Sequence, residues 1–128
     1  MLLALLELTL DSVAQDSGWL NPGFVDFAQG SSRLTDEACG KLLKLGEQMQ
    51  ANPDFKVIIE GNCISTLPSR RLSWIRVNAV IQYLVDTENI DRSRFIFKYQ
   101  SKGWLNAVFF REPDMGDEGP SRTAMPVR

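Results

Sequence analysis

The run Asn52-Pro53-Asp54-Phe55-Lys56-Val57-Ile58-Ile59-Glu60-Gly61 decides the fold. Phe55 to Glu60 is short, β-branched and bounded by a proline and a glycine, which suits an inner strand buried on both faces. Immediately upstream, Thr35 is placed to cap a helix, with Asp36 and Glu37 near the positive end of the helix dipole. Ala38, Leu42, Leu45 and Met49 then recur at helical spacing until Asn52-Pro53 stops the run. Downstream, residues 62–68 read as a loop, and Pro68 or Ser69 opens a second helix reaching about Asp86. Its apolar stripe is Trp74, Val77, Val80, Ile81 and Leu84.

Farther out, Phe24-Val25-Asp26-Phe27 alternates like a short strand and is closed by Gln29-Gly30-Ser31-Ser32. A third strand from Arg94 to Tyr99 places Phe95, Phe97 and Tyr99 on one face, with Gly103 closing it. Trp104 to Phe110 reads as a long connection, and Asp114 to Pro120 as turns. Ser121 to Val127 is the candidate last strand, at an edge because Pro126 cannot donate to a ladder. The order strand, helix, strand, helix, strand, loop, strand predicts a two-layer α/β sandwich.

Composition bounds the function. The chain has 128 residues, 44% of them hydrophobic, enough for one domain whose core needs no metal or disulfide. With 14 Lys+Arg against 16 Asp+Glu the net charge is -2, which argues against nucleic acid, whose binders need a basic face. The absence of histidine removes Ser-His and Cys-His nucleophile pairs, His-containing zinc sets and the usual neutral-pH base. Acidic residues show no spacing that demands acid/base work, and Asp114, Asp117 and Glu118 lack the spacing of a calcium loop. Together these point away from an enzyme and imply no cofactor. Cys39 and Cys63 are too few and too far apart for a zinc ribbon or a redox pair, leaving buried thiols or one disulfide.

The start, Met1-Leu2-Leu3-Ala4-Leu5-Leu6-Glu7-Leu8-Thr9-Leu10, is too short to span a bilayer and lacks the basic residues that begin a secretion signal. Leu6, Leu8 and Leu10 alternate with Glu7 and Thr9 as in a half-buried strand, and residues 11–23 read as a loop anchored by Trp19. Residues 1–23 are therefore expected as a strand and loop extension, and 24–128 as the domain.

The most pointed polar pattern lies on the second helix. Ser69, Ser73 and Arg76, spaced four and three apart, share one face near a helix start and beside the loop that leaves the inner strand. Backbone amides there favour anions, and an arginine beside them can grip a carboxylate with two parallel hydrogen bonds. The competing structural role for Arg76 is an ion pair with a carboxylate of its own protein. Arg70, Arg71, Arg92, Arg94, Arg111 and Arg122 read as solvated or ion-paired. Trp74, Trp104, Phe109 and Phe110 read as core or loop anchors, with the stretch 104–110 as the alternative partner surface.

Several segments carry a family resemblance: Val25-Asp26-Phe27 followed by Ser32-Arg33-Leu34-Thr35, the step from Asn52-Pro53 to Ile58-Ile59-Glu60-Gly61, Leu72-Ser73-Trp74-Ile75-Arg76-Val77-Asn78-Ala79-Val80 with Tyr83-Leu84, and Ile90-Asp91-Arg92-Ser93-Arg94. Over roughly residues 24 to 128 the chain resembles the OmpA-like (OmpA/MotB C-terminal) domain of bacterial cell envelopes. The resemblance implies a βαβαβ-type domain with a further strand, a mixed sheet and helices on one face, and a periplasmic, non-enzymatic role holding the peptidoglycan stem peptide. It also implies that Arg76 grips a diaminopimelate carboxylate, with Asn62, Ser65, Ser69 and Ser73 as polar helpers and Arg122 as a further basic residue.

Departures from the family pattern fall at the same place. Where the family has a Thr-Asp pair whose carboxylate meets the diaminopimelate ammonium, this chain has Asn62, Cys63 and Ile64 after Gly61, and Ser69 stands where Asn is common. Losing one charged partner of a zwitterionic group costs on the order of 2 to 5 kcal/mol. The expectation is an envelope scaffold that binds protein partners of an envelope complex, with diaminopimelate binding weakened or lost; the alternative is a peptidoglycan anchor clamped by Arg76.

Overall fold

A computed structural model of the chain describes residues 23–100 and 105–113. The strand β1 (Phe24–Asp26) is followed by helix α1 (Asp36–Ala51), strand β2 (Val57–Asn62) and helix α2 (Leu67–Glu88). A single 3-10 turn at Arg92–Arg94 leads into β3 (Phe95–Gln100), and β4 (Ala107–Arg111) is the last described strand. The strand order is β1-β4-β2-β3, with β2 and β3 parallel and β4 antiparallel to both β1 and β2. Four strands with two helices on one face form the two-layer α+β sandwich that the sequence predicts.

Both helices form for local reasons that the sequence shows. Thr35 Oγ1 accepts from the amide of Ala38 at 3.0 Å, and Asp36 and Glu37 occupy the first turn of α1. Thr66 caps α2 in the same way for Ser69, and Pro68 sits in its first turn, where its missing N–H costs nothing. Asn89 ends α2 in the left-handed conformation, at φ 59°, returning its N–H to Leu84. Leu42, Leu45 and Met49 of α1 and Val77, Val80 and Leu84 of α2 meet Val25, Val57, Ile59, Phe95, Phe97, Val108 and Phe110 of the sheet in one core. Trp74 lies half-buried against its edge.

Two close approaches set the helix positions. A Cβ on Gly61 would lie 2.2 Å from Ser73 Oγ and 2.9 Å from Val77 Cγ2, so only glycine lets α2 rest this low on β2. A Cβ on Gly46 would lie 2.6 Å from Glu88 Cγ, so the Glu88 side chain of α2 lies directly against the α1 backbone there. Gly61 and Asn62 pair with Tyr99 and Gln100, so β2 runs past the glycine instead of stopping there.

One expectation changes, and one alternative is settled. Ala107 to Arg111 is an internal strand, not part of a connection: Val108 and Phe110 turn into the core while Phe109 pairs with Phe24, ring centroids 5.4 Å apart. Both cysteines are free, with Cys63 buried and Cys39 half-buried, so no disulfide forms. Gly103, Trp104, the candidate strand at Ser121 to Val127 and the extension up to residue 22 lie outside the described residues. Among those described, no helix is long and apolar enough to cross a membrane.

Candidate functional site

Arg76 sits on the buried side of α2, and its residue is 2% exposed. Its guanidinium donates from Nε to Ser31 O at 2.7 Å, from Nη1 to Leu105 O at 3.0 Å and from Nη2 to Ala28 O at 3.0 Å. The ring of Phe27 lies 5.1 Å from Cζ. Burial lowers the pKa of Arg76 from its ordinary value, yet guanidinium stays protonated at any working pH. The helix therefore carries a buried cation solvated by three carbonyl dipoles from two separate loops. No carboxylate of the described residues pairs with it, so the expected internal ion pair is replaced by backbone acceptors. The reason is topological: β1 and β4 are neighbours, so the loop after β1 and the approach to β4 close together over this flank of α2.

None of the other described site residues hydrogen-bonds to that guanidinium. Ser73 is 3% exposed, packs on Gly61, and its Oγ finds no hydrogen-bond partner among the described residues. Ser69 is half-buried, and its hydroxyl accepts from Ile64 N at 3.0 Å, which ties the β2 to α2 loop back onto the helix. Ser65 is exposed in that loop. Asn62 is the last residue of β2 and is buried; its place in the alternation, with Ile58 and Glu60, puts it on the sheet face away from the helices. Arg122 lies outside the described residues.

Two large apolar side chains are exposed at this end of the sheet, beside the polar Ser65, Thr66 and Ser69. Ile64 in the β2 to α2 loop is 50% exposed and Leu105 in the β3 to β4 connection 43%. Burial pushes the Cys63 thiol up, partly opposed by Arg70, and pushes the Tyr99 phenol up in the same way. Both groups are therefore protonated at neutral pH and supply no anion.

Sequence reasoning missed a second buried charge. Glu60, 6% exposed on the inner strand, receives Arg111 Nε at 2.9 Å and Gln100 Nε2 at 2.9 Å. Both partners sit on the strands that flank β2, so the carboxylate is held from two sides. The signal in the sequence was an acid inside a β-branched run, a position that charge occupies only when paired.

This architecture is shared with solved structures. The OmpA-like domain of FopA1 from Francisella tularensis subsp. tularensis SCHU S4 superposes with a TM-score of 0.55 at 14% identity, covering 77% of this chain and 74% of that one. The chain has an OmpA-like fold. An outer membrane protein from Borrelia burgdorferi B31 matches at TM-score 0.55 and 18% identity, over 68% of this chain and 80% of that one. The cell wall anchor of the T6SS from Pseudomonas aeruginosa matches at 0.52 and 21%, over 68% and 76%. No protein-family model and no curated protein matches the sequence. At these identities it is the OmpA-like fold that is shared.

Proposed function

We propose that this OmpA-like domain is a non-enzymatic scaffold of a bacterial cell envelope assembly, one that binds protein partners and has lost most of its affinity for diaminopimelate. The observation that carries the reading is the set of three backbone carbonyls on Arg76, which take three of the five N–H donors of the guanidinium a ligand carboxylate would need. Each such bond is charge-assisted and worth about 1.5 to 3 kcal/mol, so a carboxylate has to displace favourable contacts inside a buried site. The stretch Gly61-Asn62-Cys63-Ile64-Ser65-Thr66 brings no acid to meet an ammonium. Exposed Ile64 and Leu105 offer instead the apolar side chains that protein contacts use.

A second reading, the peptidoglycan anchor, draws on two observations: the likeness to a cell wall anchor, and a buried cation with no carboxylate partner among the described residues. Sedimentation with purified sacculi separates them. The scaffold reading expects the wild-type chain to stay in the supernatant at micromolar concentration. Pelleting that is reversed by a soluble stem peptide containing diaminopimelate supports the anchor and overturns the scaffold.

A further inference from the structure

Both helices end without a cation. The last turns of α1 and α2 hold no lysine or arginine, although the carbonyls at a helix C-terminus favour positive charge. Glu88 stands instead in the last turn of α2, 9% exposed, at the end of the dipole that least suits an acid. Its side chain lies against the α1 backbone at Gly46, where an added Cβ would meet Glu88 Cγ at 2.6 Å and Oε1 at 3.0 Å. Gln50 Nε2 donates to the backbone O of Glu88, so that amide serves the main chain and not the acid. Among the described residues no donor reaches the Glu88 carboxylate, whereas the buried carboxylate of Glu60 has two. Neither Glu88 oxygen is fully enclosed, so the acid is open to a ligand from outside.

A carboxylate this buried is costly unless it is paired. We propose that the crevice between the C-terminal halves of α1 and α2, floored by Gly46, binds a primary alkylammonium ion with Glu88 as its counter-ion. With Oε1 turned towards α1, Oε2 is left for the ligand, and a single oxygen suits the point charge of an ammonium better than the two-pronged fork of a guanidinium. Gln50, its Nε2 engaged, leaves Oε1 as a second acceptor beside the acid. Leu43, 44% exposed and one turn before Gly46 on the same side of α1, gives the methylene stem an apolar surface. On the α2 side, burial, the Cys39 thiol and the Glu88 charge all push the Tyr83 phenol up, so it stays protonated and adds no second anion.

A divalent metal fits less well. Calcium takes six to eight oxygens, several of them from carboxylates, and no three His, Cys, Asp or Glu of the described residues come together to hold a metal. Glu88 is 12 residues from Arg76, about 18 Å along α2, so the two charged sites share no residue.

The test titrates the isotope-labelled full chain with butylammonium chloride against sodium chloride at equal ionic strength. Nuclear magnetic resonance follows the Glu88 carboxyl carbon and the Gly46 and Gln50 amides. A saturable shift is expected, with a dissociation constant on the order of 1 to 10 mM from one charge-assisted contact and a short stem. Butanol, which keeps the stem without the charge, is expected to bind at least about tenfold more weakly, and Glu88→Gln to abolish the butylammonium response. No saturable shift, an equal response to butanol, or a response that survives Glu88→Gln overturns the proposal. Tighter binding of calcium chloride at the same resonances also overturns it, in favour of a metal. Should Glu88→Gln fail to fold, Gln50→Lys reads the same site: its own ammonium is expected to occupy Glu88 and block butylammonium, and an unchanged titration overturns the proposal. Where the site binds, a preference for Nα-acetyl-lysine methylamide over 1,4-diaminobutane supports it as a receptor for a lysine of a protein, and the opposite preference supports it as a receptor for a free amine.

Discussion

The two loops that flank α1 are held by the same device used to different degrees. Before the helix, Ala28 O and Ser31 O are gripped by Arg76, which also holds Leu105 O. After it, Asn52 O and Phe55 O are gripped by Arg94, through Nη2 at 2.6 Å and Nε at 2.9 Å. Arg94 is half-buried, has Asp54 and Asp91 near enough to favour its charge, and meets a helix C-terminus where the dipole welcomes a cation. Arg76 has none of these supports and is almost fully enclosed. The same residue type thus acts as a surface clamp at one end and as a structural pin at the other. The comparison makes a stabilising role for Arg76 the economical reading, because Arg94 grips loop carbonyls in the same way.

Removing each arginine is the strongest way to break the comparison. Arg76→Leu leaves three carbonyls without donors in a closed site, and a loss of at least about 3 kcal/mol is expected in urea titrations. Arg76→Lys is expected to recover only part of it, because an ammonium cannot reproduce the planar fork. Arg94→Ala, with water available to its carbonyls, is expected to cost about 1 to 2 kcal/mol. Equal costs at the two positions contradict the distinction between pin and clamp.

The glycines near each end sharpen it further. Gly61→Ala drives a methyl into Ser73 Oγ, and a loss of about 1 to 3 kcal/mol is expected, while Gly46→Ala meets the flexible stem of Glu88 and is expected to cost less. Ser73→Ala is expected to lie within about 0.5 kcal/mol of wild type or to stabilise, since its buried hydroxyl has no partner among the described residues. A large loss on Ser73→Ala means that the hydroxyl holds something after all.

The smallest effect concerns acid. The backbone amide of Ser93 donates to Asp91 Oδ1 at 2.8 Å and, with the Ser93 side chain, keeps the Asp91 pKa below its usual value. A depressed carboxylate pKa adds stability above the unfolded-state value, and that stability disappears as pH falls through the folded-state value. Asp91→Asn is therefore expected to flatten the acid limb of a stability profile slightly, acting on the turn that presents Arg94.

Much of this fold was legible before any coordinates. Caps at Thr35, apolar periodicity through Leu42 and Leu45, and the β-branched run at Val57 are local signals, and local signals survive into the structure. The fourth strand was not legible, because Ala107-Val108-Phe109-Phe110 is apolar throughout and a continuous run has no period to read. The pairing of Glu60 with Arg111 was hidden for a different reason: it joins residues 51 apart across a ladder. Arg76 was found by its spacing, but its partners were not, since a backbone carbonyl carries no residue identity and any sequence offers one at every position.

The most direct test follows the Nε–H of Arg76 by nuclear magnetic resonance while a stem peptide containing diaminopimelate is added to the wild-type protein. The account predicts a slowly exchanging proton whose resonance does not move, even at millimolar peptide. A saturable shift at that proton, with Leu105 and Ser31 responding in step, would show the guanidinium changing hands from carbonyl to carboxylate and would contradict the account.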